Sequence, residues 1–244
     1  MIASTLDFIL DLIYPPKCVS CGELIDFRSK KIFCDKCQSS IKFIDGLRCV
    51  GCSRPIESGN YCVFCSSKKH WFNKNYSLFE YDEFIADLIH RFKFKNHPSI
   101  GIGLGKIMGK YIPEDFLSIK IDYVVPVPIH KHRMTKRGFN QSEILAREIS
   151  KKIYLPLKTD IINRVVDTKP QWELDPKERE NNLDNAFKCK KICDKNILLV
   201  DDIFTTGSTI DECAKTLKSS GAKTVFSFTV AVTSKRQNLC EDKL

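Results

Sequence analysis

The 244-residue sequence has no run of eighteen apolar residues, so we expect no membrane-spanning helix. Its first fourteen residues are partly apolar, but they include Asp7 and Asp11 and lack the basic start of a secretory signal. Residues 2–13 are instead predicted as a short amphipathic helix that packs on the body of the protein. Because this pattern does not indicate export, we expect a cytoplasmic protein whose thiols stay reduced.

A phosphate loop of the nucleotide-binding kind is missing from the glycine-rich stretch 100–110. Ile100 stands where that loop needs its first glycine, and Ile107 follows Lys106 where serine or threonine is required. We therefore predict a small-residue helix that packs closely on a neighbour. No side chain stands out as a general base, and none of the five histidines has an obvious carboxylate partner in the sequence.

The sequence also lacks an excess of acidic residues. Lysine and arginine together number 39 and aspartate and glutamate 30, which gives a formal net charge of +9 and a pI near 8.9. Such a charge favours acidic partners, namely phosphates, nucleotides or nucleic acid. The length allows one sizeable α/β domain together with a small module.

Cysteine, by contrast, is abundant: the chain contains twelve, and eight of them lie in four CxxC pairs between residues 18 and 65. Each CxxC turn supplies two thiolates, and zinc needs four in a tetrahedron, so two pairs form one site. The simplest assignment joins neighbouring pairs, although the spacing also allows an interleaved arrangement. The predicted ligands of one or two structural zinc ions are Cys18, Cys21, Cys34 and Cys37, and Cys49, Cys52, Cys62 and Cys65.

The strongest functional pattern lies between Ile197 and Thr209. Residues 197–200 form an apolar run typical of a strand buried on both faces of a parallel sheet. Asp201 and Asp202 follow where that strand should leave the sheet. Paired carboxylates suit a polyol or a hydrated Mg²⁺.

A turn of small hydroxyl residues comes next and leads into a predicted helix. Ser208 and Asp211 have the spacing of a capping box for that helix. Backbone N–H groups at such a helix start favour anions, and the helix dipole adds to this preference. A sugar phosphate would therefore satisfy both the carboxylates and the turn.

Two further stretches concentrate positive charge. Residues 121–127 are predicted as a strand, and the basic loop 129–139 follows it, before Asn140 and Glu143 cap another helix. A helix from Asp82 ends in basic and aromatic residues that suit phosphate or single-stranded nucleic acid, although a core helix with a solvated basic end fits equally well. The candidate nucleic-acid contacts there are Lys93 and Lys95.

The pattern from Ile197 to Thr209 resembles the signature for phosphoribosyl pyrophosphate (PRPP) in type I phosphoribosyltransferases. The resemblance implies that Asp201 and Asp202 hold the ribose hydroxyls, directly or through water, with Mg²⁺ bound alongside PRPP. Arg137-Gly138-Phe139 also resembles the pyrophosphate loop of adenine phosphoribosyltransferases. The residues implied for the 5′-phosphate are Thr205, Thr206, Gly207, Ser208 and Thr209, and those for pyrophosphate are Lys131, Arg133, Arg137 and Gly138.

The chain as a whole is similar to the ComF family of DNA-uptake competence proteins, which join a zinc module to a phosphoribosyltransferase-like domain. The stretch VPVPIHKHRMTKRGFNQSEILAR and the order of the other motifs carry this resemblance. A polar arm at 167–187 also fits, and such arms close over the bound substrate. Its matching residues are Gln171, Leu174, Arg179, Asn181 and Asn182.

The expected architecture is an α/β fold with a doubly wound, mostly parallel sheet of the type I phosphoribosyltransferase kind, preceded by a small zinc ribbon. Further strands are predicted at 161–166 and 223–232. The predicted domains are 1–70 for the first helix and the zinc module, 76–235 for the phosphoribosyltransferase-like domain with a hood at 76–120 and a core at 121–235, and 236–244 for a tail.

Two functional hypotheses stay open. In the first, the chain is a PRPP-binding competence protein that assists the handling or uptake of single-stranded DNA in natural transformation, alongside other competence proteins and with or without phosphoribosyl transfer. In the second, it is a nucleotide-salvage phosphoribosyltransferase with no DNA role, an alternative that the zinc module and the basic excess disfavour. The acceptor base lies beyond what the sequence determines.

The cysteine spacing predicts the metal content of the purified protein. We expect one to two zinc ions per chain, because eight reduced cysteines in four CxxC turns have few other uses. Elemental analysis measures the content directly. A value below about half an equivalent, with thiols that alkylate freely, would contradict the prediction.

Overall fold

The computed structural model describes residues 15–29, 31–95, 97–167 and 185–234, without the side chains of Phe27 and Leu117. The predicted helix at 2–13, nearly all of the predicted arm and the predicted tail lie outside these residues. Within them, no helix is long and apolar enough to cross a membrane.

The chain divides into two compact units, Met1–Lys42 and Phe43–Leu244. The smaller unit contains a 3₁₀ turn at Phe27–Ser29 and the short helix α1, Asp35–Ser39. The second set of four cysteines therefore belongs to the larger unit, together with every strand of the described residues. The predicted domain limits at 1–70, 76–235 and 236–244 stay predictions.

The larger unit is built on a four-stranded sheet in the order β1-β6-β5-β2, in which every neighbouring pair is parallel. Its strands are β1 (Lys74–Glu80), β2 (Tyr123–Pro126), β5 (Lys195–Phe204) and β6 (Ala222–Val232). The predicted parallel sheet is thereby confirmed. The predicted strand at 161–166 forms instead in a separate antiparallel pair, of β3 (Ile162–Arg164) and β4 (Phe187–Cys189).

Seven helices of the larger unit surround these strands in the described residues. They are α2 (Val63–Ser67), α3 (Glu83–Phe94), α4 (Pro98–Lys110), α5 (Glu114–Ser118), α6 (Lys131–Arg137), α7 (Gln141–Ile153) and α8 (Ser208–Ser219). Ile197 and Leu199 share a buried cluster with the apolar face of α8. Successive strand residues point to opposite faces, so Leu198 and Val200, also fully buried, face the other side. The sheet is therefore covered on both faces around β5.

Strand β5 continues past the point where its neighbour β2 ends. Pro126 pairs with Val200 as the last pair of β2, whereas β5 remains paired with β6 as far as Phe204. The acidic residues were expected to follow the strand, but Asp201 and Asp202 lie inside it. The β2 side of this extension is open, and it becomes one wall of the site.

Helix α4 packs on α7 through its glycines, as predicted for a small-residue helix. A Cβ atom at Gly105 would lie 2.8 Å from the Cβ of Glu148 and 3.2 Å from the Cα of Leu145. A Cβ at Gly109 would lie 2.8 Å from the Cβ of Lys152. Because real Cβ atoms do not approach so closely, the two helices require glycine at these positions.

Gly105→Val should lower the free energy of unfolding by about 1–3 kcal/mol, since overpacking a close helix contact costs that much. Lys106→Val is the matched control, because Lys106 is the exposed neighbour on the same helix. We expect it to change stability by no more than about 0.5 kcal/mol. Urea denaturation measures both, and equal values for the two variants would contradict this packing.

Candidate functional site

A cavity of about 590 Å³ lies at the carboxyl ends of β2 and β5. Ligands of open parallel sheets bind at this edge, because the loops and helix starts that follow the strands converge there. Its charged and hydroxyl-bearing lining comes from α3, α6, α7, α8, β3, β5, the segment after β1 and the turn before α8. These residues are Tyr81, Asp87, Lys93, Arg133, Arg137, Ser142, Arg164, Asp201, Asp202, Thr205 and Thr209.

Asp201 and Asp202 are held differently at the floor of this cavity. The Ser142 hydroxyl donates to Asp201 Oδ1 at 2.8 Å, and the backbone N–H of Asp202 donates to the same oxygen at 2.9 Å. Asp202 instead forms an ion pair with Lys93, with Nζ 2.9 Å from Oδ2. Burial, together with the negative charge of Asp202, raises the pKa of Asp201 to about 7.

The predicted phosphate-binding turn runs from the end of β5 into α8. Thr205 and Thr209 line the cavity, and the hydroxyls of Thr206 and Ser208 lie 2.8 Å apart. Gly207 has a left-handed φ of 80°, and a side chain there would collide with the Phe204 ring. The turn therefore needs glycine, and it brings the start of a twelve-residue helix to the cavity.

The predicted capping box is wrong. Gly207 occupies the N-cap position of α8, and no side chain caps the helix there. Asp211 is engaged elsewhere: its carboxylate accepts the backbone N–H of Trp71 at 2.6 Å. The N-cap predicted for α7 does form, since the Asn140 side chain accepts the Ser142 N–H at 3.1 Å.

The predicted basic loop is largely the short helix α6. Arg133 and Arg137 on this helix line the cavity, whereas Lys131 is exposed outside the lining residues and Gly138 is the left-handed C-cap. The Arg137 guanidinium lies 4.9 Å from the Phe94 ring centre and donates to Gln141 Oε1 at 3.2 Å. Burial lowers the pKa of Arg137, but an arginine stays charged at neutral pH.

The two lysines predicted as nucleic-acid contacts are in different places. Lys93 lies in the cavity beside Asp202, whereas Lys95 is exposed after the end of α3. The sequence indicated a basic end of α3, but it did not indicate that Lys93 would form an ion pair with Asp202. Their contact with nucleic acid stays a prediction.

Other cavity residues were not singled out from the sequence. Ser142 holds Asp201, and the buried amide nitrogen of Gln141 has no hydrogen-bond partner among the described residues, so it can donate to a ligand. Their place in the sequence could have indicated them, because both residues directly follow the N-cap Asn140 at the start of a helix. Arg164, the last residue of β3, also lines the cavity.

Histidine–carboxylate pairs form although no pair was visible in the sequence. Asp167 lies 2.9 Å from Nδ1 of His132, 3.5 Å from Nδ1 of His130 and 3.8 Å from Nε of Arg133. The bond from His132 lowers the pKa of Asp167. Neither His130 nor His132 is close to Asp167 in the chain, so only the fold joins them.

The eight cysteines form two clusters, and the neighbouring-pair assignment is the one observed. Within each cluster all four sulfur atoms lie within 4.8 Å of one another. Zinc–sulfur bonds of about 2.3 Å in a tetrahedron place the sulfurs about 3.8 Å apart. Cys21 and Cys34 are 3.7 Å apart, and Cys52 and Cys62 are 3.6 Å apart. Both donor sets therefore fit structural zinc.

In the second cluster, a hydrogen bond from the Cys65 thiol and the nearby Arg54 charge lower the pKa of Cys52 to about 5. The same environment raises the pKa of Cys49 by burial and that of Cys65 through its hydrogen bond to Cys52, so a bound metal would have to displace protons from these two ligands.

The raised pKa of Asp201 predicts a pH-dependent stability difference. Between pH 4 and 7 the Asp201 carboxyl is protonated in the folded protein but mostly ionised in the unfolded chain. The stability that this proton contributes to the folded state is therefore lost as the pH rises through about 7. Asp201→Asn removes the titration. In Mg²⁺-free buffer, urea denaturation should show the variant gaining stability relative to the parent from about pH 5.5 to about pH 7.5. A difference that does not change with pH would contradict the shift.

Comparison with known families agrees with this arrangement. Residues 9–66 match the double zinc ribbon domain, and residues 93–243 match the phosphoribosyl transferase domain. Among solved structures, glutamine PRPP amidotransferase from B. subtilis is similar with a TM-score of 0.37 and 17% identity, over 53% of this chain and 25% of that chain. Adenine phosphoribosyltransferase from Saccharomyces cerevisiae gives a TM-score of 0.36 and 13% identity, over 58% and 82%.

Curated relatives resemble the chain over most of its length. Competence protein F of Haemophilus influenzae is 28% identical over 213 residues, covering 79% of this chain and 93% of that protein. Competence protein ComFC of Streptococcus pneumoniae is 29% identical over 227 residues, covering 88% and 99%. DNA utilization protein YhgH of Escherichia coli strain K12 is 27% identical over 205 residues, covering 79% and 86%. With its double zinc ribbon and its match to competence proteins, the chain belongs to the phosphoribosyl transferase domain family, and the predicted resemblance to the ComF proteins is confirmed.

Proposed function

We propose that the cavity binds PRPP together with Mg²⁺, and that the protein uses this site while it handles single-stranded DNA. The observation that carries the proposal is that paired carboxylates, a hydroxyl-rich turn at a helix start and three arginines line one cavity. Each group suits a different part of PRPP. Asp201 and Asp202 suit the ribose hydroxyls, the turn from Thr205 to Thr209 suits the 5′-phosphate, and Arg133 and Arg137 suit the pyrophosphate.

The charges of the cavity support this assignment. PRPP carries several negative charges, and arginine forks bind phosphate oxygens in pairs. Lys93 offsets the repulsion between the two carboxylates by pairing with Asp202. Gln141 adds a buried donor with no partner among the described residues. Asp201 and Asp202 would help to hold Mg²⁺, which when bound would neutralise part of the pyrophosphate charge.

The DNA part of the proposal rests on the names of the relatives and on one exposed surface. Competence protein F, ComFC and DNA utilization protein YhgH are relatives with names that refer to competence or DNA use. On the second ribbon, Tyr61 and Trp71 are 55% and 48% exposed, and Lys68 and Lys69 between them are exposed as well. Exposed aromatic rings stack on bases while lysines hold phosphates, without regard to sequence.

Removing the acidic pair tests the PRPP site. Asp201→Asn/Asp202→Asn should weaken PRPP binding at least about tenfold in calorimetry with Mg²⁺, because amides hold ribose hydroxyls and metal less well than carboxylates. Lys93→Met should weaken it too, since Asp202 then loses its cation.

The matched control is Glu114→Gln/Asp115→Asn, a second pair of adjacent acids that is exposed and outside the cavity. It should leave PRPP affinity unchanged. Equal affinity of the parent and the Asp201/Asp202 variant, with both folded by circular dichroism, would reject the site. A phosphoribosyl acceptor assay on the same proteins decides between a binding protein and a salvage enzyme.

Salt dependence tests the DNA surface. Affinity for single-stranded oligonucleotides should fall by about 0.7 log units per phosphate contact for each tenfold rise in salt. Lys68→Glu/Lys69→Glu should weaken DNA binding and reduce that slope, while PRPP affinity stays at the parental value. Fluorescence anisotropy of a labelled oligonucleotide measures the DNA affinity and its salt dependence, and calorimetry measures the PRPP affinity. DNA binding that is absent at low salt would reject this half of the proposal and favour the salvage enzyme.

A further inference from the structure

Arg54 links the second cysteine cluster to the phosphate-binding turn. It follows Cys52 by two residues, and its side chain is buried, with 6% of the residue exposed. Its Nε donates to the Thr233 carbonyl at 2.9 Å, and its Nη2 donates to the Thr205 carbonyl. Thr205 begins the turn and Thr233 directly follows β6, so one guanidinium joins the ends of two neighbouring strands. The Thr233 N–H closes the same junction by donating to the Phe204 carbonyl at 3.1 Å.

The cysteine turn fixes where Arg54 sits. The backbone N–H of Cys49 donates to the Arg54 carbonyl at 2.7 Å, and the N–H of Ser53 donates to the Cys49 carbonyl at 2.9 Å. The guanidinium carbon lies 4.8 Å from the ring centre of Phe64, which is located between Cys62 and Cys65. It also lies 5.8 Å from the ring of Phe204, the last residue before the turn. The turn that contains Cys49 and Cys52 thus holds the Arg54 backbone, and Phe64 from the other cysteine pair packs on its guanidinium.

The bond to the Thr205 carbonyl has a consequence for anion binding. In a trans peptide the carbonyl and the following N–H point in opposite directions. Fixing the Thr205 carbonyl toward Arg54 therefore fixes the Thr206 N–H away from Arg54. The orientation of N–H groups in this turn decides how well it binds a phosphate.

A second connection joins the cluster to α8, the helix that follows the turn. Nε2 of His70 lies 3.7 Å from the Cys65 sulfur, and Nδ1 of His70 lies 3.6 Å from Asp211 Oδ1. Asp211 lies in the first turn of α8, and its N–H donates to the Gly207 carbonyl at 2.8 Å. Both ends of the phosphate-binding turn are therefore tied to residues of the second ribbon.

We propose that Arg54 is a positioning residue for the phosphate-binding turn, and that the metal-binding cluster of Cys49, Cys52, Cys62 and Cys65 sets the affinity of that turn for a sugar phosphate through it. The inference rests on the proposed PRPP site. A ribbon of this size draws much of its folding free energy from metal–thiolate bonds, which join its two cysteine turns. Loss of the metal would release Arg54 and Phe64 together, and the turn would lose its fixed carbonyl.

Arg54→Met tests the proposal in the full-length zinc-loaded protein. Methionine keeps the apolar stem but removes both donors, so the affinity for ribose 5-phosphate should fall about tenfold. The affinity for Mg²⁺-pyrophosphate should stay within about twofold, because Arg133 and Arg137 bind it from α6. A variant with a merely structural defect would lose affinity for both probes. Arg54→Lys keeps the charge but not the two-pronged geometry, and should bind ribose 5-phosphate with intermediate affinity.

Arg48→Met is the matched control. Arg48 lies in the same ribbon, donates to the Ile44 carbonyl and covers the Tyr76 ring at 4.9 Å, without contacting the turn. It should bind ribose 5-phosphate like the parent. Cys62→Ser, checked for zinc by elemental analysis, should lose metal and show the same selective loss as Arg54→Met.

The outcomes separate this inference from the proposed function. If the parent binds PRPP and ribose 5-phosphate but folded Arg54→Met binds ribose 5-phosphate equally well, the positioning role is overturned and the PRPP site stands. An equal loss for both probes also overturns it. If the parent binds neither PRPP nor ribose 5-phosphate, the proposed function fails and this inference fails with it.

Discussion

Two carboxylates held side by side at the open end of a parallel sheet are the constraint on which the rest of the cavity depends. Burial and the repulsion between them disfavour the charged form, and the pKa of Asp201 rises to about 7 as a result. Lys93 from α3 and Ser142 from α7 offset this cost at Asp202 and Asp201 respectively. Those helices must therefore lie against the end of β5, and the close contact of the α4 glycines with α7 helps to fix that arrangement.

The second zinc ribbon packs in the same unit as the parallel sheet and the cavity. Cys49 and Cys52 share a buried cluster with Ile197 of β5 and Ile210 of α8. A ribbon of this size buries too little apolar surface to fold alone, so it gains from the larger core as well as from metal. In return it places Arg54 against the strand ends from which the phosphate-binding turn starts. The metal-binding cluster and the proposed phosphate-binding turn thus lie in one folded unit.

The sequence by itself determined the elements whose signals are local. The apolar run 197–200 specified a buried parallel strand, since burial on both faces leaves no polar position in it. The spacing of the CxxC pairs specified four-thiolate metal sites, because each pair is a single turn, whereas the number of sites and the pairs that join in each were decided by the fold. The glycines of α4 indicated close helix packing, and the hydroxyl-rich turn with Gly207 marked a helix start at a strand end. In each case the cause and its effect lie within about one turn or strand.

Only the tertiary structure decided which distant groups meet. Arg54 and Thr205 are 151 residues apart, so no sequence pattern could join them. The capping box failed for the same reason: Asp211 had the right spacing, but the Trp71 N–H, 140 residues away, takes its carboxylate. Lys93 likewise followed a helical pattern that gave no sign of its partner Asp202. Local propensity sets which elements form, whereas the partners of buried charges depend on packing between elements, because a buried charge needs a counter-charge or donor wherever the fold supplies one.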